Sequence, residues 1–345
     1  MQTLIISVIA VVVSAVATRV VMGYARKRLI DQVNERSSHK MATPRGGGLG
    51  LVIGLLVAWL PIAWWLGAGL PGVGQQTGQQ IVGLAFGIIG MAALGWWDDH
   101  SNLSARCRLP VQLALVAAAC LIGGLPSHIT FALDLTIPVL SWWYVPVAIL
   151  GGAWLVNLTN FMDGIDGIAG TQGAIGCGGL ALMLPPESTT VCILLLAAAG
   201  ACIGFLVWNW PPAKIFMGDV GSTTLGFIFA IGVLEGLRHG VALELLILPL
   251  APFVADATCT LARRAWRRER LSQAHRSHLY QRLASWSGSH RPVTTLYAVL
   301  ALLGLGLSLA TQQAYLPSGA GVMIWLALWV LLVLFARRVC PALAG

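Results

Sequence analysis

Residues 189–208 read TTVCILLLAAAGACIGFLVW, a run of 20 residues without a charged side chain. A helix needs about 20 apolar residues to cross the hydrocarbon of a bilayer. The rest of the chain shares this character, since 57% of its 345 residues are hydrophobic, 10% are charged and the mean hydropathy is +0.80. A soluble domain carries roughly 25% charged residues. The composition therefore excludes water-soluble, disordered and fibrous proteins and indicates a polytopic membrane protein.

Eleven such runs are predicted along the chain, and a count of ten is the alternative. Their continuity favours helices, because the strands of an outer-membrane barrel alternate in polarity over about ten residues. The sequence predicts an all-α polytopic integral membrane protein that forms a single membrane-embedded domain over residues 1–345. The predicted spans lie at about 3–23, 46–66, 80–97, 110–125, 139–157, 168–185, 189–208, 218–236, 241–261, 294–312 and 321–337. A small hairpin is expected over residues 126–138.

The basic residues predict an orientation. Residues 26–28, Arg-Lys-Arg, follow the first apolar run rather than precede it, which argues against a cleaved signal peptide. If the loop after the first span faces the cytoplasm, only Arg238 of the 21 lysines and arginines falls clearly outside. The positive-inside rule therefore predicts an outer N-terminus and a cytoplasmic C-terminus. The net charge of +8 would suggest nucleic acid for a soluble protein, but here the distribution of bases matters more, and no nucleic-acid partner is expected.

Most acidic residues are predicted at the cytoplasmic ends of the spans. A charge at the bilayer centre costs roughly 2.5–3.5 kcal/mol, so helix ends are the cheaper location. Acids from four separate loops are therefore expected to converge on one face. The acids assigned to the inner side are Asp31, Glu35, Asp98, Asp99, Asp163, Asp166, Asp219, Asp256 and Glu269.

The first predicted cytoplasmic loop joins basic residues to a glycine run. It reads DQVNERSSHKMATPRGGGLG over residues 31–50. Backbone N–H groups approach a phosphate closely at glycine, so Arg45 beside this run is a candidate substrate ligand. The alternative is packing, because Gly46, Gly50 and Gly54 recur every four residues and would let the second span approach a neighbour.

An acidic pair, Asp98 and Asp99, ends the third span, and Arg106 and Arg108 follow it. Adjacent carboxylates raise each other's pKa unless a cation lies between them. The pair therefore predicts Mg²⁺ binding or a proton-accepting role for one of its members. The alternative is a solvated helix end.

The densest polar cluster is NLTNFMDGIDG over residues 157–167. If this turn is helical, Asn157, Asn160, Asp163 and Asp166 share one face. The glycine after each aspartate would allow a ligand or a second backbone to approach closely. Uncharged apolar spans surround this segment, which disfavours a purely structural origin.

The segment WNWPPAKIFMGDVGS, residues 208–222, opens the eighth span. Asp219 at the start of a helix would hold a cation, while Lys214 and nearby amides would hold phosphate. The alternative is that Asp219 only caps the helix, as aspartate often does.

The last large cytoplasmic loop, residues 263–282, begins with a basic run and ends with histidines. The basic run is typical of a positive-inside cluster and would also attract anionic lipid headgroups. His275, Arg276 and His278 are candidates to bind metal, phosphate or sugar. Zinc is disfavoured, because no third neutral ligand is nearby and the seven scattered cysteines form no Cys-x-x-Cys pair. Asp256, inside the ninth span, hydrogen-bonds within the bundle or serves the site, and both interpretations stay open.

Together these features favour phosphoryl transfer between a soluble nucleotide and a membrane lipid. Carboxylates suit Mg²⁺, which typically binds one or two of them together with substrate phosphates. Basic and amide groups on the same face suit a pyrophosphate, and the apolar bundle suits a lipid tail. A transporter or flippase is the alternative class, but it would place ionisable residues near the midplane.

The cytoplasmic segments resemble those of the polyprenyl-phosphate N-acetylhexosamine-1-phosphate transferases, the MraY/WecA group of glycosyltransferase family 4. Within the group, the Arg-Ser-Ser-His and His-Arg-Ser-His-Leu-Tyr-Gln-Arg-Leu segments are similar to the WbpL-type branch, which initiates O-antigen synthesis. The triple-histidine loop of the muramoyl-pentapeptide branch is absent, and Val33 stands where related sequences often have proline. The resemblance covers five segments that occur in the same order along the chain: 36–48, 98–99, 157–167, 216–222 and 275–278.

The resemblance implies ten or eleven helices in the bacterial inner membrane. It also implies attack by undecaprenyl phosphate on the β-phosphate of a UDP-N-acetylhexosamine, with UMP leaving. A WecA-like UDP-N-acetylglucosamine transferase for another envelope glycan is an alternative. The identity of the sugar, direct or covalent transfer, and a homodimer stay open.

The resemblance also implies residue roles. Asp219 would ligate Mg²⁺ or Mn²⁺ with support from Asp99, Asp98 would be the base, and uracil would stack on Phe216. The expected site comprises, for catalysis, Asp98, Asp99, Asp163 and Asp166; for substrate binding, Arg45, Asn157, Asn160, Asn209, Lys214, Phe216, His275, Arg276 and His278; and, for the metal, Asp219 and Asp99.

Overall fold

The structure is a computed structural model that describes residues 2–31, 43–69, 74–131, 135–269 and 276–340. These residues form a helical bundle with two short two-stranded sheets. The helices are α1 Gln2–Arg28, α2 Gly48–Gly69, α3 Gly74–Ser101, α4 Ala105–Gly123, α5 Ser141–Phe161, α6 Ile168–Met183, α7 Thr189–Asn209, α8 Asp219–Arg238, α9 Leu243–Ile247, α10 Ala251–Trp266, α11 Leu279–Ser287, α12 His290–Gln312 and α13 Ala320–Val339. The strands are β1 Ile30–Asp31, β2 Thr43–Pro44, β3 His128–Thr130 and β4 Thr136–Pro138.

Ten helical segments in the described part of the chain are long and apolar enough to cross a membrane, one of them formed by α9 and α10 together. The predicted all-α polytopic class is therefore confirmed. The predicted sixth span is α6, which has only 16 residues. At about 1.5 Å per residue it is roughly 24 Å long, shorter than the hydrocarbon layer. Most of α6 is buried inside the protein.

The predicted ninth span is broken near its middle. A 3-10 turn, Leu248–Leu250, separates α9 from α10. Pro249 cannot donate a backbone hydrogen bond, and a second proline in the first turn of α10 begins the helix where no donor is needed. The Pro249 carbonyl accepts a hydrogen bond from Gln172 Nε2 at 2.8 Å, which ties the break to α6.

The expected hairpin over residues 126–138 is confirmed. Strands β3 and β4 pair antiparallel, with Ile129 opposite Ile137. The hairpin lies at the end of the bundle remote from the acidic residues described below, since β3 packs on α8 and His128 lies next to Gly240, just after the C-terminus of α8.

Helix α8 is the centre of the bundle, with nearly all of its residues buried. It packs against both α3 and α5. A Cβ atom on Gly95 would lie 2.4 Å from the Asp219 carbonyl oxygen, and one on Gly226 would lie 2.5 Å from Val156 Cα. Glycine at these two positions therefore allows the backbones to come together.

The glycine run of the first loop serves packing along part of its length. A Cβ on Gly50 would lie 2.4 Å from Thr18, and one on Gly54 would lie 2.6 Å from Ser14, so both positions press α2 against α1. Gly48 meets Gly221 in the same way, at 2.4 Å. The start of α2 is thereby held against the start of α8, where the polar residues converge.

Candidate active site

Asp99 determines where α8 begins. Its carboxylate accepts hydrogen bonds from the backbone N–H groups of Asp219, at 2.9 Å, and Val220, at 3.2 Å. These N–H groups have no partner inside the helix, so a carboxylate here acts as a cap supplied by another helix. The residue before α8, Gly218, has a φ of 76°, and a Cβ there would lie 2.6 Å from the Asp99 carboxylate. Only glycine satisfies both constraints.

Asp219 itself does not cap α8, so the capping alternative for this residue is wrong. Its carboxylate instead pairs with two guanidinium groups: Arg45 binds Oδ1, and Arg108 Nη1 lies 2.9 Å from Oδ2. The same two arginines reach the acidic pair of α3, because Arg45 Nε lies 2.8 Å from Asp99 Oδ1 and Arg108 binds Asp98. Three carboxylates thus share two guanidinium groups, and the cluster keeps a formal charge of −1.

The neighbouring residues Asp98 and Asp99 have different surroundings. The side chain of Asp99 is fully buried, and both of its oxygens have protein donors. Asp98 lies within hydrogen-bonding reach of the Asp219 carboxylate and accepts the Leu103 N–H at 2.6 Å. Asp98 is therefore the member of the pair that faces Asp219.

The last turn of α5 adds amides to this cluster. Asn160 Nδ2 donates to Ser222 Oγ at 3.1 Å, and its side chain also interacts with Asp219. Asn157 donates to Gln112 Oε1 at 2.9 Å, which links α5 to α4. The spacing of three residues does bring both asparagines to the side of α5 that faces the neighbouring helices.

Asp163 follows α5 and has fewer described partners than the other carboxylates of the site, Asp98, Asp99, Asp166 and Asp219. Burial, together with the negative charges of Asp219, Asp99 and Asp166, raises its pKa well above the ordinary value, although Arg45 opposes the shift. Among the described residues none donates a hydrogen bond to this carboxylate, and the residue is partly exposed. Asp163 is thus available to a ligand or a proton.

Asp166 and Asn209 join two loops to each other. Asp166 Oδ2 accepts the Ala213 N–H at 3.0 Å, and Oδ1 lies 3.1 Å from His290 Nδ1. Asn209 accepts the Gly167 N–H at 3.0 Å and donates to a carbonyl of the segment before α8 at 2.9 Å. Both side chains are buried. Catalysis by Asp166 and substrate contact by Asn209 stay predictions, and the observed contacts are those of residues that position the loops.

The segment before α8 pairs with the first loop, which explains how Arg45 reaches Asp219. The Phe216 N–H donates to the Pro44 carbonyl at 2.8 Å, and the Gly47 N–H donates back to the Phe216 carbonyl at 2.9 Å. The Phe216 ring is half-buried, and the exposed Lys214 holds its ammonium 5.3 Å from the centre of the Trp208 ring.

The histidine loop gives a different result. His275 lies outside the described residues, and Arg276 is exposed. His278 is buried at 2% exposure, stacked between Phe161 and Tyr280. A ring enclosed in this way packs against the residues next to Asp163. The sequence predicts direct contact between His278 and substrate, and the burial of the ring does not favour that role.

Asp256 hydrogen-bonds to the segment around His278. Of the two interpretations left open for Asp256, the structure shows the hydrogen bonds within the bundle. At 1% exposure it accepts the N–H groups of Leu279, at 2.8 Å, and Tyr280, at 2.9 Å, and the Tyr297 hydroxyl at 2.6 Å. Tyr280 in turn donates its hydroxyl to the Phe161 carbonyl at 3.0 Å. Asp256 thus caps α11 together with the capping box of His278 and Gln281, and Tyr280 fastens α11 to the end of α5.

Arg108, Tyr280 and Tyr297 are site residues to which sequence reasoning gave no role. Arg108 closely follows the acidic pair and Tyr280 belongs to the histidine segment, so their proximity to these motifs could have identified both as site residues. Tyr297 lies in an apolar helix and had none.

A divalent cation fits the chemistry of this cluster, in which the carboxylates of Asp219 and Asp98 lie side by side. Their hard oxygens and the excess negative charge suit Mg²⁺. No group of three or more His, Cys, Asp or Glu side chains is arranged as a complete metal cage in the described part of the chain. Mg²⁺ usually takes few protein ligands and completes its shell with water and phosphate.

Comparison with known proteins identifies the family. Residues 81–237, from α3 to α8, match the family described as glycosyl transferase family 4. A probable undecaprenyl-phosphate N-acetylglucosaminyl 1-phosphate transferase of Bacillus subtilis is 29% identical over 310 residues, which cover 88% of this chain and 81% of that protein. A phospho-N-acetylmuramoyl-pentapeptide-transferase of Thermosynechococcus vestitus is 32% identical over 287 residues, which cover 77% and 72%.

Both relatives are bacterial, and the described part of the chain has ten helical segments that are apolar enough to cross a membrane. The chain is therefore a multi-pass protein of the bacterial inner membrane. The matched region contains the acidic pair, both asparagines of α5 and Asp219, and so includes most of the cluster described above. The chain belongs to glycosyl transferase family 4, in the MraY/WecA group.

Proposed function

We propose that this protein transfers N-acetylhexosamine 1-phosphate from a UDP-N-acetylhexosamine to undecaprenyl phosphate and releases UMP. The observation that carries the proposal is the meeting of Asp98 and Asp219 with Arg45 and Arg108 at one end of an apolar bundle. The names of the two relatives support it, since one acts on undecaprenyl phosphate and the other is a phospho-sugar transferase.

The reaction brings two anions together, and its catalysis depends on position and charge. An oxygen of the lipid phosphate attacks the β-phosphorus of the UDP-sugar, and a new P–O bond forms. The P–O bond to the bridging oxygen breaks, and UMP leaves with its electron pair. Arg45 and Arg108 would hold the diphosphate oxygens, because guanidinium groups bind phosphate with two parallel hydrogen bonds. Asp98 would take the proton that a monoprotonated lipid phosphate carries.

Mg²⁺ or Mn²⁺, held by Asp219, would supply positive charge that neutralises the diphosphate. Asp99 would contribute indirectly, because it fixes the backbone of Asp219. Asp163 is the remaining carboxylate that has no donor among the described residues, and we assign it to the donor substrate or to the metal in the complex. Phe216 offers a half-buried aromatic face for uracil.

The finer assignment concerns orientation and product. The excess of basic residues on the loops of this face supports a cytoplasmic site by the positive-inside rule. The Arg-Ser-Ser-His and His-Arg-Ser-His segments support a product that initiates O-antigen synthesis. A transferase for another envelope glycan would use the same chemistry.

The test is UMP release by the purified protein with Mg²⁺, undecaprenyl phosphate and a panel of UDP-N-acetylhexosamines. We expect lipid-dependent release with one sugar, and no release from the Asp219→Asn variant at unchanged melting temperature. If the folded wild-type protein releases no UMP with any sugar of the panel, the proposal is overturned.

The pH dependence of kcat tests the role of Asp98. We expect the Asp98→Asn variant to lose activity and the acid limb of the profile together, because the proton acceptor is gone. A residual activity that keeps its acid limb would reject Asp98 as the base.

A further inference from the structure

Arginines from three helices gather beside the candidate active site. Arg263 lies in the last turn of α10 and Arg267 directly follows it, Arg282 lies on α11, and Arg337 lies in the last turn of α13. They are close enough to repel one another: Arg263 interacts electrostatically with Arg267 and Arg337, and Arg282 with Arg263 and Arg267. We call these four residues the arginine cluster.

Specific contacts hold the three helices in this arrangement. Arg263 Nη2 donates to the Ser277 carbonyl at 3.0 Å, which joins the end of α10 to the segment before α11. Trp286 on α11 meets the edge of Phe335 on α13, with ring centres 6.0 Å apart. The Arg282 carbonyl accepts a weak hydrogen bond from Cys340 Sγ at 3.9 Å. The cluster is therefore set by packing and not by one mobile side chain.

Two acidic residues described near the cluster, Asp256 and Glu269, carry fewer charges than its four arginines. Asp256 acts on Arg263 and Arg282, but it is buried and serves as the cap of α11. Glu269 acts on Arg263 and Arg267, but its ion pair is with Arg264, at 2.7 Å. Burial and the two neighbouring arginines lower the pKa of Arg282 below its ordinary value. A bound anion would relieve this repulsion.

Two tryptophans put the cluster at the depth of the lipid headgroups. Trp266, at the end of α10, is 91% exposed, and Trp286 is 53% exposed. Tryptophan concentrates at the interface between the membrane and water, where its ring is half solvated. We therefore expect the tryptophans and the arginine cluster to lie at the depth of the headgroup phosphates of the adjacent leaflet.

We propose that the arginine cluster is a binding site for the phosphodiester headgroup of an anionic phospholipid, in the leaflet on the side of the candidate active site. Guanidinium groups bind phosphate oxygens in pairs, and clustered basic residues at the interface select anionic over zwitterionic lipids. The site is separate from the carboxylate cluster, and it holds whether or not the proposed transferase reaction is correct.

The test is a titration of the delipidated full-length protein with phosphatidylglycerol or phosphatidylcholine in neutral detergent, read by native mass spectrometry. In the triple variant Arg263→Gln/Arg282→Gln/Arg337→Gln we expect about a hundredfold weaker binding of phosphatidylglycerol, from about fivefold for each arginine. Weak binding of phosphatidylcholine is expected to stay unchanged. The matched control is Arg26→Gln/Lys27→Gln/Arg28→Gln, which removes the same charge from the exposed end of α1 and is expected to retain affinity.

Equal losses in the two triple variants would overturn the proposal, because they would indicate diffuse surface charge. Displacement of phosphatidylglycerol by millimolar inorganic phosphate, or preferential binding of undecaprenyl phosphate at this site, would assign the cluster to another ligand and also overturn it. If the triple variant does not fold, the single variants Arg282→Gln and Arg337→Gln replace it. Each is expected to lose about fivefold, and full affinity in both would refute the site.

Discussion

Gly164 and Tyr280 offer a sharp test of how the Asp163 segment is positioned. A Cβ atom on residue 164 would lie 2.1 Å from Tyr280 Oη and 3.0 Å from its Cζ. Tyr280 is fully buried, and its hydroxyl is bonded to the Phe161 carbonyl, so the ring cannot withdraw without losing that bond. Overpacking costs about 1–3 kcal/mol and a lost hydrogen bond costs about 1 kcal/mol. We therefore expect Gly164→Ala to lower the free energy of unfolding by about 2–4 kcal/mol.

The Tyr280→Phe variant tests the cause of this destabilisation. Alone it loses the hydrogen bond to Phe161, at about 1 kcal/mol. In the double variant with Gly164→Ala it also removes the atom that clashes, so the combined loss is expected to fall short of the sum by about 1–2 kcal/mol. Because Asp163 precedes Gly164, kcat for UMP release is expected to fall in Gly164→Ala and to recover partly in the double variant.

The assay is denaturant unfolding in detergent, followed by tryptophan fluorescence, for the wild type, both single variants and the double variant. Additive losses, within about 0.5 kcal/mol, would refute the contact between the Tyr280 hydroxyl and residue 164. A fully stable Gly164→Ala variant would refute the tight packing of α11 on the end of α5.

Other substitutions in the site have equally definite expectations. Burial raises the pKa of Asp163 in the folded state, so the protein is most stable when this carboxyl is protonated. Its contribution to the free energy of unfolding is largest below about pH 4 and is lost as the pH rises through the folded pKa. Asp163→Asn is therefore expected to raise the melting temperature at pH 7 while UMP release falls, and an unchanged dependence of stability on pH would contradict the shift. Asp256→Asn weakens three charge-assisted hydrogen bonds and is expected to cost about 2–4 kcal/mol in urea unfolding, with Tyr297→Phe costing about 1–2 kcal/mol; equal stability of all three proteins would contradict the role of Asp256 as the cap of α11. Arg108→Ala leaves Asp98 and Asp219 without a shared cation and is expected to raise KM for the UDP-sugar at least tenfold, whereas Arg106→Ala is the control that keeps KM.

Hydropathy was sufficient to predict the bundle, because every helix that crosses a membrane must be apolar over its length. It was not sufficient for α6, whose 16 apolar residues are buried by other helices rather than by lipid. The cost of burying charge in a bilayer led to one polar face, and the structure brings together acids from three separate segments there: Asp98 and Asp99, Asp163, and Asp219.

The roles of the individual polar side chains were the features least predictable from the sequence. Asp98 and Asp99 are adjacent and chemically identical, yet successive helix residues point about 100° apart. One therefore faces Asp219, while the other caps α8. Motif membership also did not distinguish His278, which is buried behind the loop, from a residue that touches substrate.

Two aspartates in apolar helices accept hydrogen bonds from the free N–H groups at the starts of two other helices, α8 and α11. Asp99 of α3 caps α8, which has no side-chain cap of its own, and Asp256 of α10 adds to the capping box that His278 and Gln281 form at the start of α11. A cap supplied by another helix exists only when the two helices are packed together. The position of Asp219 beside Asp98 therefore follows from the α3–α8 contact at Gly95, which also holds the bundle together. Any substitution that separates α3 from α8 should therefore cost stability and the geometry of the carboxylate cluster together.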